Sequence, residues 1–266
     1  MPESTRDIST IAPHPPIRAY YDSPDGKTRF VRRVFDEAAA DYDRVERMMS
    51  LGSGSQYRRR ALERAGLRAG MRVLDVAAGT GLVSREAAAI VGDASLVLGV
   101  DPSPGMLAEA VRNVPGVRFA IGTAERLPVD DASVDFLSMG YALRHVSDLA
   151  TTFREFLRVL NPGGRVCVLE ITRPRGRISL ALLRLYMGWL IPGLTRLAGR
   201  RAQSKQLWSY YWDTIEHCVP PERILDSMNA AGFADVSRHV ELGIFSAYTA
   251  TRPAVGQPRA FVNSQL

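Results

Sequence analysis

The sequence predicts an α/β protein with a doubly wound, mostly parallel sheet. Short β-rich runs alternate with helical patterns between residues 72 and 171, and this alternation is typical of a parallel sheet covered by helices on both faces. Glycine and proline separate these segments at intervals of roughly 20 to 30 residues, as βα units require. Right-handed crossovers then place ligand-binding loops beyond the carboxyl ends of the strands.

Each element has its own signal in the chain. Two helical patterns, over residues 29–40 and 56–65, precede the sheet, and the parallel part ends with the fifth strand. A helix over residues 222–231 follows, with Gly232 as its C-terminal stop, and two later strand-like runs form an antiparallel edge hairpin. The predicted strands are 72–76, 95–100, 117–121, 134–139, 165–171, 236–240 and 245–250, and the helices between them are 82–91, 104–113 and 149–160.

Length and composition indicate one folded unit with two tails. The 266 residues are 46% apolar and 23% charged, which excludes collagen-like, disordered and disulfide-scaffold proteins. We expect a mobile N-terminal tail (1–26), a folded domain (27–252) with a cap insertion at about 173–217, and a C-terminal tail (253–266). The first 20 residues contain no apolar signal segment, and the two cysteines have no zinc spacing, so we expect a cytoplasmic protein without a metal site.

The net charge of +6 is local rather than general. Residues 173–205 contain seven Arg, one Lys and no acidic residue, so the remainder of the chain is slightly acidic. This segment is also rich in leucine, which favours a membrane-surface helix or a basic lid over a nucleic-acid site. The apolar run 178–195 is interrupted by Arg184 and Pro192, which argues against a membrane-spanning helix.

The segment 73–81 contains the motif that indicates a ligand-binding site. It runs from an apolar strand through Gly79 and Gly81 into a helix, and Asp101 lies 20 residues beyond Gly81 at the end of the next strand. Glycines admit a ligand close to the backbone, and a carboxylate at the second strand accepts hydrogen bonds from a ribose diol. A dinucleotide site has a similar pattern, but its third glycine is Ser84 here and Asp75 would oppose a pyrophosphate. An acid at that place suits a cationic ligand such as S-adenosylmethionine.

Further motifs complete a resemblance to a known family. Thr-Ala-Glu-Arg-Leu-Pro at 123–128 follows the third strand, and Asn-Pro-Gly-Gly at 161–164 is expected to form a turn before the fifth. With Phe35-Asp36, Tyr42-Asp43 and Leu143-Arg144, the chain resembles class I S-adenosylmethionine-dependent methyltransferases over about residues 29–251. Within that class it is similar to the UbiE/MenG family, the C-methyltransferases of ubiquinone and menaquinone biosynthesis.

This resemblance implies a Rossmann-like seven-stranded sheet and a set of site residues. Arg144 would face the methyl acceptor and assist its deprotonation. His145 stands where the family usually has Asn; it could act as a hydrogen-bond donor, serve as a base near pH 7, or merely pack under the cap. Ala78 replaces a family glycine, and Thr123 an Asn or Asp. The cofactor-binding residues would be Tyr42, Asp75, Gly79, Thr80, Gly81, Asp101, Pro102, Met106, Thr123, Ala124 and Met139.

The methyl acceptor implied by the resemblance is a lipid-linked benzoquinol or naphthoquinol. Two alternatives remain open at this point: a methyltransferase for a soluble metabolite or a phospholipid amine, and a non-catalytic S-adenosylmethionine-binding scaffold. No nucleic-acid partner is expected, while a homodimer and a peripheral position on the inner face of the membrane, reached through the basic cap, are both compatible with the sequence.

Overall fold

The computed structural model describes residues 11–50, 52–174, 176–185 and 202–254. Its centre is one seven-stranded sheet with the order β3-β2-β1-β4-β5-β7-β6. The first five strands are parallel, and β7 runs antiparallel between β5 and β6. The strands are β1 Val73–Val76, β2 Val97–Asp101, β3 Arg118–Ile121, β4 Val134–Gly140, β5 Leu160–Ile171, β6 Ala234–Glu241 and β7 Phe245–Thr251. The predicted fold class is confirmed.

Eight α-helices lie among the described residues, and most begin and end close to the predicted positions. They are α1 Pro24–Met49, α2 Gly54–Ala65, α3 Leu82–Val91, α4 Pro104–Asn113, α5 Leu149–Val159, α6 Arg177–Leu185, α7 Ala202–His217 and α8 Pro221–Ala231. The largest difference is α1, which has 26 residues where the apolar pattern predicts only residues 29–40. Short 3₁₀ turns at Ala94–Leu96 and Leu143–His145 precede β2 and α5.

Apolar residues from both faces of the sheet bury it on each side. One cluster joins β4 and β5 to α5 and α8 through fully buried residues such as Leu137, Phe153 and Met228. The other joins the opposite face to α2 and α3 through Leu62, Ala87 and related residues. This two-sided burial explains why the central strands read as continuous apolar runs, and it leaves their carboxyl ends as the edge where a site can form.

The predicted turn at residues 161–164 is wrong. The segment is part of β5, where the register shifts between Val134 and Phe136 of the neighbouring strand. Gly163 N–H donates to the Arg252 carbonyl at 2.8 Å, and Arg252 N–H donates back to Gly164 at 2.8 Å. Pairing with Arg252, directly after β7, therefore extends the strand through residues that are locally typical of a turn.

The described part of the predicted N-terminal tail is docked on the domain. Ile11 N–H donates to Asp148 Oδ1 at 2.7 Å, and the Ile11 and Pro13 carbonyls accept from Leu149 and Val219. His14 is buried. Residues 11–23 thus form a strap across the loop before α5, so the expectation of a mobile tail does not hold for them. Residues 1–10 lie outside the described part of the chain.

The cap consists of α6 and α7 as far as it is described. Leu183 of α6 packs against Tyr211 and Ile215 of α7, and Arg184 pairs with Glu216. Residues 186–201, with much of the predicted apolar face, lie outside the described residues. None of the helices that the structure describes has the length and apolar character to cross a membrane.

Candidate active site

The glycine turn after β1 presents open backbone at the carboxyl edge of the sheet. Ala77, Gly79 and Gly81 all have positive φ, at 54°, 56° and 86°. A Cβ on Gly81 would lie 2.7 Å from Val114 Cγ2, whereas a Cβ on Gly79 would meet nothing within 4 Å. Gly81 is therefore required by packing, and Gly79 faces open space of the kind that a ligand can occupy. Ala77 holds a strained conformation, which is common at binding sites.

Asp101 joins the second strand to this turn. Its Oδ2 accepts from Gly79 N–H at 2.9 Å, and its Oδ1 accepts from Ser103 N–H at 2.8 Å. Burial raises the pKa of its carboxyl to about 6, although the two backbone donors oppose the shift. A carboxylate has about four acceptor positions, so two remain for a ribose diol. Asp101 and the open turn therefore fit S-adenosylmethionine.

Asp75 occupies a different place from the predicted one. Its side chain has no exposed surface, and its two oxygens accept from Ser84 Oγ at 2.6 Å and Ser138 Oγ at 2.8 Å. Burial raises its pKa to about 6. The carboxylate ties β1 to α3 and β4 behind the glycine turn, and this position does not support a direct contact with the amino group of the cofactor.

Helix α1 lies across the cofactor side of the sheet. Its Asp43 accepts from the Thr80 hydroxyl and from Asn113 Nδ2 at 3.0 Å. Its Asp36 accepts from the Ser103 hydroxyl at 2.5 Å and from Gly105 N–H at 2.8 Å, at the start of α4. These bonds hold α1 over both the glycine turn and the loop after β2. Sequence reasoning noted both acids only as family-like residues, because their partners lie 37 to 70 residues away.

The other predicted cofactor residues surround the same edge. Met106 and Ala124 are buried, and the Met106 N–H donates to Ser103 Oγ at 3.1 Å. Pro102 and Thr123 are partly exposed in the loops after β2 and β3. Met139 is fully buried near the end of β4, and Tyr42 neighbours Asp43 on α1. Of the predicted cofactor residues, Tyr42, Gly79, Pro102 and Thr123 are partly exposed, whereas the others, including Met106 and Met139, are buried in this structure.

Arg144 is held in a fully buried ion pair just beyond β4. Its Nη1 donates to Glu170 Oε2 at 2.6 Å, its Nε donates to Thr214 Oγ1 at 3.2 Å, and its Cζ lies 4.0 Å from the centre of the Tyr211 ring. Burial, the largest effect, would lower the pKa of this guanidinium, but Glu170, Tyr211 and Tyr42 together outweigh it and the pKa is raised. Nη2 has no hydrogen-bond partner among the described residues. A permanent buried charge with one open donor therefore stands beside the cofactor edge.

His145 lies in an aromatic group next to Arg144. Its ring stacks on Tyr210 with the centroids 5.4 Å apart and meets Phe35 edge-on, also at 5.4 Å. Burial lowers its pKa well below 6.5, and Arg144 lowers it further, so the imidazole is neutral at pH 7. This favours the hydrogen-bonding alternative over a base that titrates near pH 7. We call Phe35, Tyr42, Arg144, His145, Tyr210 and Tyr211 the acceptor cluster.

The comparison with known families decides the assignment. The sequence profile described as the ubiE/COQ5 methyltransferase family matches residues 23–252. The chain belongs to this family. It is an S-adenosylmethionine-dependent methyltransferase, and the cofactor is the one that Asp101 and the glycine turn fit.

Curated relatives match nearly the whole chain. The demethylmenaquinone methyltransferase of Symbiobacterium thermophilum is 31% identical over 244 residues, which cover 88% of this chain and 97% of the relative. The ubiquinone/menaquinone biosynthesis C-methyltransferase UbiE of Rubrivivax gelatinosus is 34% identical over 251 residues, which cover 92% of this chain and 97% of that protein.

Solved structures share the fold at low identity. A methyltransferase from Thermotoga maritima has a TM-score of 0.59 at 19% identity, covering 83% of this chain and 99% of that one. The [4+2]-cyclase SpnF has a TM-score of 0.54 at 20% identity, covering 75% of this chain and 81% of that one. A cyclase on the same fold illustrates that the architecture alone does not determine the chemistry.

Some site residues have no signal of their role in the sequence. His14 and Tyr21 come from the segment predicted to be a tail, and Thr214 reaches Arg144 from α7. Glu170 belongs to a Leu169-Glu170 pair that resembles the family's fifth strand, but its bond to Arg144 is not evident from the sequence. Their types are ordinary for core or loop positions, and only the fold brings them together. In the described ranges, no group of three His, Cys, Asp or Glu side chains is arranged to hold a metal ion.

Proposed function

We propose that this methyltransferase transfers a methyl group from S-adenosylmethionine to a ring carbon of a lipid-linked benzoquinol or naphthoquinol. The observation that carries the proposal is the acceptor cluster, in which a buried cation with an open donor lies over the Tyr211 ring, next to His145 and its aromatic neighbours Phe35 and Tyr210. The named activities of the curated relatives support the same substrate class.

The residues of the cluster suit a phenolic acceptor. When bound, the cofactor would supply a methyl group on a sulfonium. A ring carbon becomes nucleophilic as a neighbouring hydroxyl gives its proton to water, and after the carbon has taken the methyl group it releases its own hydrogen as a proton to water. Arg144 stabilises the resulting phenolate through charge and through Nη2–H, since a buried ionic hydrogen bond is stronger than a neutral one. Phe35, Tyr42 and Tyr211 exclude water and orient the ring, so that the acceptor carbon faces the methyl group.

The same cation argues against an amine acceptor. Arg144 is permanently charged, and Lys27 lies close enough to lower the pKa of His145 further. Glu170 balances much of the Arg144 charge, but the open Nη2–H of Arg144 needs an acceptor atom, and an ammonium group has none. A phenol or phenolate oxygen accepts from this donor, so the cluster favours a phenolic acceptor over a phospholipid amine.

The test is methyl transfer to defined acceptors. Purified protein would be incubated with methyl-labelled S-adenosylmethionine and a short-chain demethylnaphthoquinol, the matching benzoquinol or phosphatidylethanolamine, each under reducing conditions. Label on the ring carbon of a quinol supports the proposal, and label on nitrogen refutes it. Cofactor binding without transfer to any of the three, nor to a lipid or aqueous cell extract, supports the scaffold alternative.

We also propose that the protein is cytoplasmic and works at the inner surface of the membrane. A lipid-linked quinol resides in the bilayer, and the basic segment 173–205 would be attracted by anionic lipid. On α6, Arg184 and Leu185 are both exposed, as an interfacial helix requires. The proposal requires no particular oligomeric state, and a homodimer is compatible with it.

A further inference from the structure

The turn between β6 and β7 places a leucine side chain in water. Leu242 is 86% exposed, the highest value for a large apolar side chain in the part of the chain that the structure describes. The Ile244 N–H donates to the Glu241 carbonyl at 3.2 Å and closes the turn, so Leu242 is at its tip. At this position the leucine contributes none of the stability that its burial would give.

The backbone of the turn also disfavours a leucine. Leu242 and Gly243, its two central residues, have φ of 52° and 72°, the pair of positive values found in type I′ turns. Asn, Asp and Gly are preferred at the first of these positions, because they reach the left-handed region with little strain. A single exposed leucine is ordinary on a protein surface. One that also strains the backbone is not, and such strain is typical of functional positions.

The turn lies at the same edge of the sheet as the candidate active site. Because β5 and β7 are antiparallel, Phe245 at the start of β7 pairs with Ile171 at the carboxyl end of β5, and the turn extends beyond that pair. The Thr172 N–H donates to the Ile244 carbonyl at 2.7 Å, which joins the turn to the point where the chain leaves β5 for the cap. Leu242 therefore belongs to the edge that carries the glycine turn and the cap.

Apolar and aromatic contacts link the base of the turn to the acceptor cluster. Ile244 packs against the group formed by Leu183 of α6 with Tyr211 and Ile215 of α7. The ring of Tyr211 in turn lies 4.0 Å from the Arg144 Cζ. These contacts lead from the exposed turn to the residue that we propose binds the quinol, and they have the apolar character that suits a lipid-linked substrate.

The surroundings of the turn are basic. Arg173 directly follows Thr172 and is exposed, and it begins the segment 173–205 with its seven Arg, one Lys and no acidic residue. Glu241, the acid of the turn, is paired with Arg64 at 2.5 Å. An apolar tip beside cations matches an anionic bilayer, in which the headgroups attract the charges and the acyl chains accept the leucine.

We propose that Leu242 inserts into the anionic membrane surface and holds the carboxyl edge of the sheet against the bilayer that contains the quinol. The inference rests on the membrane location given under the proposed function, and it adds the residue that enters the acyl region. A second copy of this chain is a less suitable partner for the hairpin. The exposed residues of its edge strand β6 include Asp235 and His239, and charged side chains of this kind oppose pairing between edge strands.

Leu242→Asn separates membrane contact from stability. Asparagine suits the first central position of this turn, so the Tm should be equal to that of the wild type or higher. The partition coefficient onto vesicles of phosphatidylcholine with phosphatidylglycerol should fall roughly 10-fold, the factor expected for returning one leucine side chain to water. Flotation of the full chain at graded lipid concentrations measures it. Retention equal to that of the wild type would overturn the proposal and leave the basic segment as the whole membrane contact.

Val111→Gln is the matched control. Val111 is 59% exposed and lies in the last turn of α4, toward the amino edge of the sheet because α4 leads back to the start of β3. This variant also loses an exposed apolar side chain and should keep the vesicle binding of the wild type. An equal loss in the two variants would contradict insertion at the hairpin. A wild-type dimer that Leu242→Asn converts to a monomer, with vesicle binding unchanged, would make the leucine a contact between copies instead.

Turnover distinguishes this inference from the proposed acceptor. Leu242 lies outside the acceptor cluster, so kcat/KM for a short-chain quinol in solution should be unchanged in Leu242→Asn. Turnover of a long-chain quinol held in the same vesicles should fall by about the factor by which retention falls. An equal loss on the short-chain quinol would mean that the substitution damages the site, and it would overturn the proposal. If vesicle binding depends on Leu242 and no quinol is methylated, the insertion is supported and the proposed acceptor fails.

Discussion

Asp101 combines two backbone donors with two open acceptor positions, and this combination determines the effect of its substitution. Asp101→Asn removes the charge and leaves one oxygen for three or more donors. Affinity for S-adenosylmethionine should fall by about 1.5–3 kcal/mol, or roughly 10- to 100-fold, the range for hydrogen bonds to a charged group. Isothermal titration measures this change. Asp75→Asn is the control, since its buried carboxylate lies behind the turn; an equal loss there would contradict the assignment.

Arg144 and Glu170 form a buried ion pair, so we expect the effects of their substitutions on stability to be coupled. Arg144→Ala leaves a buried carboxylate unpaired, so we expect the free energy of unfolding to fall by about 3–5 kcal/mol. Arg144→Met combined with Glu170→Gln removes both charges and should recover most of that loss. Denaturant titration gives the stabilities, and methyl transfer gives the activity.

The double variant separates folding from catalysis at this position. It should bind cofactor normally and show no turnover, because the phenolate loses its cation. If a stable double variant has turnover close to that of the wild type, Arg144 does not take part in the reaction.

At the scale of elements, Asp148 has two structural tasks at once. Its Oδ2 caps α5 by accepting from Thr151 N–H at 2.9 Å, and its Oδ1 holds Ile11 of the strap. Asp148→Ala should lower the free energy of unfolding by about 1–2 kcal/mol and speed proteolysis within residues 11–23. Asp93→Ala is the control. Asp93 is an exposed cap that accepts from Ser95 within its own turn, so its loss should lower the free energy of unfolding less and leave proteolysis within residues 11–23 unchanged.

Elements whose signal is local could be predicted from the sequence, and those that depend on distant partners could not. Residues 82–91 and 104–113 were located correctly because an apolar stripe with clear ends marks each helix. The strap has no periodic pattern, and its order comes from bonds to Asp148, Leu149 and Val219. The same reason explains the site: the glycine turn and Asp101 form a local motif, whereas Glu170, Thr214 and the partners of Asp75 lie on strands and helices that only the complete fold brings together.

For the whole molecule, the raised carboxyl pKa values predict how stability depends on pH. Asp75 and Asp101 titrate near 6 in the folded protein and near 4 when unfolded. These two carboxyl groups therefore bind more protons in the folded state between these values, and their contribution to stability grows as pH falls through this window. The buried His14, whose pKa is lowered to about 4, and His145, whose pKa is lowered well below 6.5, oppose it, because each binds a proton more readily in the unfolded state.

Bound cofactor should oppose the contribution of Asp101 to stability at low pH, because ribose hydroxyls bind the ionised form of this carboxyl group. The increase in Tm caused by S-adenosylmethionine should be larger at pH 7.5 than at pH 5, and calorimetric scans at the two values measure it. In Asp101→Asn the increase should be small and equal at both pH values. If the increase in Tm of the wild type does not depend on pH, the ribose does not bind Asp101.

The concentrated basic charge gives a prediction about membranes. Vesicles containing anionic phospholipid should retain the protein in flotation assays at low salt, and vesicles of neutral phosphatidylcholine should not. Because the attraction is electrostatic, retention should fall as salt rises from 50 to 500 mM, where the screening length becomes short. Equal retention on both vesicle types would contradict a charge-driven contact of residues 173–205.

The long contacts of α1 also have a consequence for synthesis. Its aromatic residue Phe30 packs against Tyr210, and the nearby Tyr20 bonds to Asp213 across 193 residues of chain. The helix leaves the ribosome well before α7 has been translated, so its apolar face meets water or a chaperone in the interval. Folding can build the sheet first and bring in this helix last. A nascent chain arrested before residue 202 should therefore expose α1 to protease, and one extended past residue 254 should protect it.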